Sequence, residues 1–163
     1  MKSMVVYYTW SGRTRAMAEL IAAQTGAELL EIQPEIPYTS DYHAVVEQVK
    51  KEIREAAPCP IRAAACDPAQ YDVFYLGTPI WWGTVATPLA TFLREKNLAG
   101  KIVMPFSTHG GGGKGHADRD IQKLCAGADV RRMYTAYEGG GSKAADEIAA
   151  WIGENLGERE GRR

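Results

Sequence analysis

Apolar positions along the chain keep two alternating rhythms. Met4-Val5-Val6-Tyr7-Tyr8 is an unbroken apolar run of strand length, as expected where helices cover both faces. From Thr14 to Thr25, Met17, Leu20 and Ile21 recur at helical spacing, and Gly26 supplies a stop. Glu28–Ile32 reads as a short second strand, with Pro34 and Pro37 in the loop after it. Val45, Val46, Val49 and Ile53 form a helical stripe that ends before Pro58. Residues 59–70 have no period and read as a surface connection. Val73–Gly77 is a third strand, followed by Thr87 as N-cap and Pro88 as first helical residue. Lys101–Ser107 is a fourth, in which Pro105 predicts a bulge or the strand's end. A short helix over Asp118–Ala126 and a fifth strand over Val130–Tyr137 follow. Ser142 is the expected cap of a last helix with the stripe Ala145, Ile148, Ala149, Ile152 and Leu156.

This alternation predicts an α/β fold: a doubly wound, five-stranded parallel sheet with helices on both faces, a three-layer sandwich. Strand order 2-1-3-4-5 fits five strands. Residues 1–156 read as one domain and 157–163 as a charged tail. In that order ligands bind at the switch point between strands 1 and 3, outside the strands' carboxyl ends. The loops after strands 1, 3 and 4 are therefore expected to share one site.

Composition narrows the partners. The chain has 163 residues, 45% hydrophobic and 24% charged, with a net charge of -1. That balance gives no reason to expect nucleic acid or an anionic membrane surface. No apolar run nears the roughly 20 residues of a membrane helix. The start, MKSMVVYYTW, reads as a first strand and not as a signal peptide, so a cytoplasmic address is expected. Cys59, Cys66 and Cys125 form no CxxC and no zinc spacing; reduced thiols are expected.

Each of the three loops carries its own signal. After strand 1 comes Thr9-Trp10-Ser11-Gly12-Arg13-Thr14. A glycine turn running into a helix N-terminus, with hydroxyls and a cation beside it, suits an anion. After strand 3 comes Gly77-Thr78-Pro79-Ile80-Trp81-Trp82-Gly83, whose two tryptophans suit stacking on a flat ring. After strand 4 comes Ser107-Thr108-His109-Gly110-Gly111-Gly112-Gly113. Four glycines fit where backbone lies close to a ligand or a loop moves. His109 and His116 are candidate polar contacts; no metal site is expected.

Together and in this order, these motifs resemble those of the flavodoxin family, specifically its short-chain FMN-binding members. The resemblance runs from about Met4 to Leu156. It implies FMN as cofactor. Thr9, Trp10, Ser11, Gly12, Arg13 and Thr14 would form the phosphate loop. Thr78, Pro79, Ile80, Trp81, Trp82 and Gly83 would border the ring, with Trp82 favoured as stacking residue and the Gly83 carbonyl as acceptor for the flavin N5–H. Thr108, His109, Gly110 and Gly111 would border it from the other loop. The second and third loops lack the carboxylates common in the family, which predicts a less negative second reduction potential. The third loop also lacks a second stacking aromatic, which leaves one face open.

Two roles fit that resemblance. One is electron transfer between redox partner proteins; the other is an FMN-dependent NAD(P)H or quinone-type oxidoreductase acting on a small acceptor. From other classes, a cofactor-free scaffold remains open. A receiver-like signalling domain lacks its acidic cluster, because Thr9-Trp10 and Thr78 stand in those places. Oligomeric state is left open.

Overall fold

The structure is a computed structural model that describes residues 1–57 and 59–157. Pro58 and all but the first residue of the expected tail lie outside the described residues. The elements are β1 (Ser3–Tyr7), α1 (Arg13–Thr25), β2 (Glu28–Glu31), α2 (Tyr42–Arg54), β3 (Val73–Trp81), β4 (Thr84–Val85), α3 (Thr87–Glu95), β5 (Ile102–His109), α4 (Ala117–Leu124), β6 (Asp129–Val130), β7 (Tyr134–Tyr137) and α5 (Ala144–Ile152).

Parallel strands run in the order β2-β1-β3-β5, and β6 and β7 share the fifth position beside β5. This is the expected winding. Alternate residues of the strands feed opposite cores. Met4, Val6, Phe74, Leu76 and Val103 pack under Leu89, Phe92 and Ile121 of α3 and α4. Val5, Tyr7, Tyr75, Met104 and Phe106 pack under Met17, Ile21, Ile148 and Trp151 of α1 and α5. Val45 and Val49 of α2 are buried yet belong to neither cluster. No helix among the described residues is long and apolar enough to cross a membrane.

Several details differ from the sequence reading. The fifth strand is interrupted: Val103 faces Val130, but Phe106 faces Tyr134, so it holds one extra residue. Pro105 explains the place. The Ile102 amide points to β3 and the Val103 carbonyl to the fifth strand. Neighbouring residues alternate sides, so Pro105, which has no N–H, faces the interruption. The bulge expected at Pro105 thus falls in its neighbour.

β3 continues to Trp81, four residues past Gly77, and turns back into the antiparallel β4. The link is the two residues Trp82 and Gly83, at φ 53° and 73°. Two positive φ values make a type I′ turn, whose twist matches the strands it joins. The buried Thr78 hydroxyl accepts the Ala86 N–H at 2.9 Å and closes the hairpin's base.

Both predicted caps are displaced. Ala86 is the N-cap of α3, and Thr87 lies inside the helix, where its hydroxyl serves Glu52 and Tyr38. Ser142 sits in a 3-10 turn, and α5 starts at Ala144 without a side-chain cap. Its buried face is Ala144, Ile148 and Trp151, while Ala145 and Ala149 are exposed.

Candidate functional site

The first wall is the turn between β1 and α1. Thr9 Oγ1 accepts the Gly12 N–H at 3.0 Å and folds the loop back. Gly12, at φ 94°, is the N-cap of α1, and no side chain caps the helix. The first helical bond is Ala16 N–H to Gly12 O, so the amides of Arg13, Thr14 and Arg15 have no helical acceptor. They lie at the positive end of the helix. Ser11 is exposed beside them. Thr14 is buried, and its hydroxyl meets that of Thr108 at 2.9 Å, tying α1 to β5. The Arg15 side chain turns away to Glu31. The Arg13 guanidinium lies 3.4 Å from the carboxylate of Glu138, and both are about half exposed.

The hairpin separates its two tryptophans. Trp81 is half-buried and edge-on to Tyr8 and Tyr38, at 5.3 and 5.2 Å between ring centroids. The Tyr38 hydroxyl donates to Glu52 at 2.6 Å, with Thr87 Oγ1 at 2.9 Å and Cys59 Sγ at 3.4 Å. Burial, then the contacts with Cys59 and Glu52, push the Tyr38 phenol up; burial does the same at Tyr8. Burial also raises the Cys59 thiol and pushes Cys125 up to about 12. These thiols stay protonated at neutral pH, as expected of structural cysteines. Trp82 is 50% exposed. Its indole N–H donates to Val46 O at 3.0 Å, and Lys50 Nζ lies 5.3 Å from its ring centroid.

The third wall is the end of β5 and the glycine loop. His109 Nδ1 accepts the amides of Gly111 and Gly113 at 3.0 and 3.2 Å, so the imidazole curls the loop around itself. His116 N–H donates to Gly83 O at 2.8 Å. Its Nδ1 meets Asp120 Oδ2 at 2.5 Å, and the Thr84 hydroxyl bonds the same oxygen. Gly115 lies so close to the turn that a Cβ there would sit 2.4 Å from Gly83 O. The loop therefore clamps the hairpin from outside.

These walls enclose a cleft of about 560 Å³ at the carboxyl rim of the sheet. Of the expected residues, Trp10, Ser11, Arg13, Pro79, Ile80, Trp81, Trp82, Thr108, His109 and Gly110 line it. Thr9, Gly12, Thr14, Thr78, Gly83 and Gly111 are not among its lining. Thr9, Thr14 and Thr78 spend their hydroxyls on the scaffold. The Gly83 carbonyl, expected to face the cleft, is taken by His116.

Two contributions were missed by sequence. Tyr42, Val45, Val46 and Val49 make α2 an apolar wall. The signal was present: three apolar residues in five on a helix whose buried face needs only two. Glu138 supplies a carboxylate to the cleft from the loop after β7, outside the two loops that lack one. Its signal was Glu138-Gly139-Gly140-Gly141, a second glycine run at the same rim. Among the described residues no His, Cys, Asp or Glu cluster could hold a metal ion.

A family profile described as Flavodoxin matches residues 2–155. No protein of curated function matches the sequence. Among solved structures, a Bacteroides eggerthii protein described provisionally as a flavoprotein is 27% identical, with a TM-score of 0.83 over 94% of this chain and 97% of that one. A similarly described protein of Bacteroides uniformis is 28% identical, with a TM-score of 0.81 over 93% and 97%. A flavoprotein of Lactobacillus acidophilus, solved in complex with FMN, is 25% identical, with a TM-score of 0.72 over 92% and 97%.

Proposed function

The chain belongs to the flavodoxin family, and from that premise we propose that it is an electron-transfer protein holding FMN non-covalently in the cleft between β1, β3, β5 and α2. One observation carries the reading. Three segments far apart in sequence, represented by Ser11, Trp82 and Gly110, line a single cleft. The FMN complex of the Lactobacillus acidophilus protein supports the choice of cofactor.

The residues fit the group. A phosphate ester needs N–H donors without other partners, and α1 offers those of Arg13, Thr14 and Arg15 beside the Ser11 hydroxyl. No atom lies within 4 Å of where a Cβ of Gly12 would be, so the backbone there is open to an approaching group. A flat ring needs apolar walls, which Trp82, Ile80, Val46 and Tyr42 supply. The cleft's volume is within the usual range of cofactor sites, about 300–1,000 Å³.

Bound FMN would supply the redox chemistry. The chain's part is to bind, orient and shield. The α1 amides and Ser11 hold the phosphate end. Trp82, fixed by its bond to Val46 O, presents an indole face at the mouth. The phenols of Tyr8 and Tyr38 remain protonated behind Trp81 and bring no charge to that wall. Glu138 brings a negative charge into the cleft beside Arg13, from outside the two loops expected to border the ring. The absence of Asp and Glu from those two loops supports a less negative second reduction potential.

The apolar α2 wall favours a second reading, reduction of a small apolar acceptor such as a quinone. Reconstitution tests the cofactor. Protein incubated with FMN and desalted is expected to keep a band at about 450 nm and quenched flavin fluorescence; a colourless product rejects the reading. Steady NAD(P)H oxidation with quinone by the loaded protein would move it from carrier to enzyme.

A further inference from the structure

We propose that Glu138 is an anion gate: it engages Arg13 until a phosphate ester arrives, and so sets how tightly the cleft takes that ester. The inference rests on the FMN reading above. Arg13 is the first residue of α1, beside the uncommitted amides. Its guanidinium faces Glu138 Oε1 at 3.4 Å, and both residues line the cleft. A planar guanidinium matches a phosphate's oxygens in bidentate fashion better than it matches a single carboxylate oxygen at that distance. The half-exposed pair is weak, because water screens it and two long side chains must be ordered.

An incoming phosphate therefore meets a guanidinium already engaged and a carboxylate of its own sign. Binding requires the pair to open. The Glu138 main chain stays in place, since its N–H donates to His109 O at 2.8 Å and its φ of 55° is held between β7 and the glycines after it. Only the side chain moves. Glu138 has no other ion-pair partner among the described residues, so its carboxylate turns to water. The free amides and Arg13 then serve the phosphate together. The gate acts on the charged group alone: a flavin without phosphate neither competes for Arg13 nor meets the repulsion.

The test compares FMN with riboflavin on full-length cofactor-free protein, wild type against Glu138→Gln. The amide keeps size and exposure and removes the charge. At low salt, FMN is expected to bind the variant about three- to tenfold more tightly, a gain that shrinks in high salt as screening rises. Riboflavin affinity is expected to stay the same. An FMN affinity unchanged or weakened in the variant overturns the gate, because Glu138 would then be steadying Arg13 for the ligand. Equal tightening of riboflavin overturns it too, since the effect would not come from phosphate. If wild type takes up neither flavin, the cofactor reading fails and the gate fails with it. If wild type takes up FMN and the variant does not differ, only the gate fails.

Discussion

Gly115→Ala tests whether the glycine loop holds the hairpin. The new Cβ would lie 2.4 Å from Gly83 O and 2.6 Å from Gly83 Cα, and ordinary contact begins at 3.4 Å. The obstacle is backbone and cannot rotate away, so loop and turn must part by about 1 Å. That separation stretches the 2.8 Å bond from His116 N–H to Gly83 O, worth about 1 kcal/mol. Alanine at φ 57° costs about another 1 kcal/mol. With lost packing the penalty is about 2–3 kcal/mol, or roughly 5–10 °C in Tm for a chain of this size. The control is Gly112→Ala in the same loop. Nothing lies within 4 Å of its Cβ and its φ is outside the left-handed region. It is expected to be neutral or to stabilise by up to about 1 kcal/mol. The assay is thermal melting of both variants, followed by tryptophan fluorescence for Trp82. If both melt alike, the glycines serve only as flexible linker and the clamp does not exist.

Three other outcomes follow from the geometry. Thr14→Val and Thr108→Val each leave one buried hydroxyl unpaired and should cost about 1–3 kcal/mol in urea unfolding; the double variant should cost less than the sum, and strict additivity would refute the pairing. Trp82→Asn puts a residue suited to a type I′ turn at φ 53°, so stability should stay within about 1 kcal/mol while FMN uptake falls about tenfold or more with the ring wall; unchanged uptake would remove Trp82 from the site. The hydrogen bond from Lys114 holds the Asp118 carboxyl below its ordinary 3.8, so its contribution is present above that pH and is lost as pH falls through the lower folded value. Asp118→Asn should therefore destabilise by less than about 1 kcal/mol at neutral pH, a partly exposed pair being screened, and by progressively less as the pH falls below 3.8; a loss that does not change with pH would contradict the ion pair.

The sheet was legible because burial on both faces writes itself into continuous apolar runs such as Met4–Tyr8, and because winding follows from alternation. The rim was legible for the same topological reason: it places the ends of β1, β3 and β5 side by side whatever their residues. What escaped is what depends on one hydrogen bond. Thr87 and Ser142 have the right chemistry for caps, yet Glu52 and Tyr38 claim one and a 3-10 turn absorbs the other. The Trp82-Gly83 turn lacks the asparagine or aspartate that usually announces it, so β4 went unseen. Its cause is tertiary, the grip of Thr78 within and of Gly115 and His116 without.

The same limit explains the division among the candidate residues. A hydroxyl at a ligand-binding rim reads identically whether it serves ligand or scaffold, and only the folded chain shows Thr9, Thr14 and Thr78 bonded to the scaffold while Ser11 is exposed in the cleft. With those side chains committed, the anion-binding capacity of the first loop falls on backbone amides, one serine and one arginine. Arginine is the only charge among them, and it is the group that Glu138 already engages. Substitutions at Thr9 or Thr14 should then act on folding first and on phosphate second, whereas those at Ser11, Arg13 and Glu138 should act on phosphate alone.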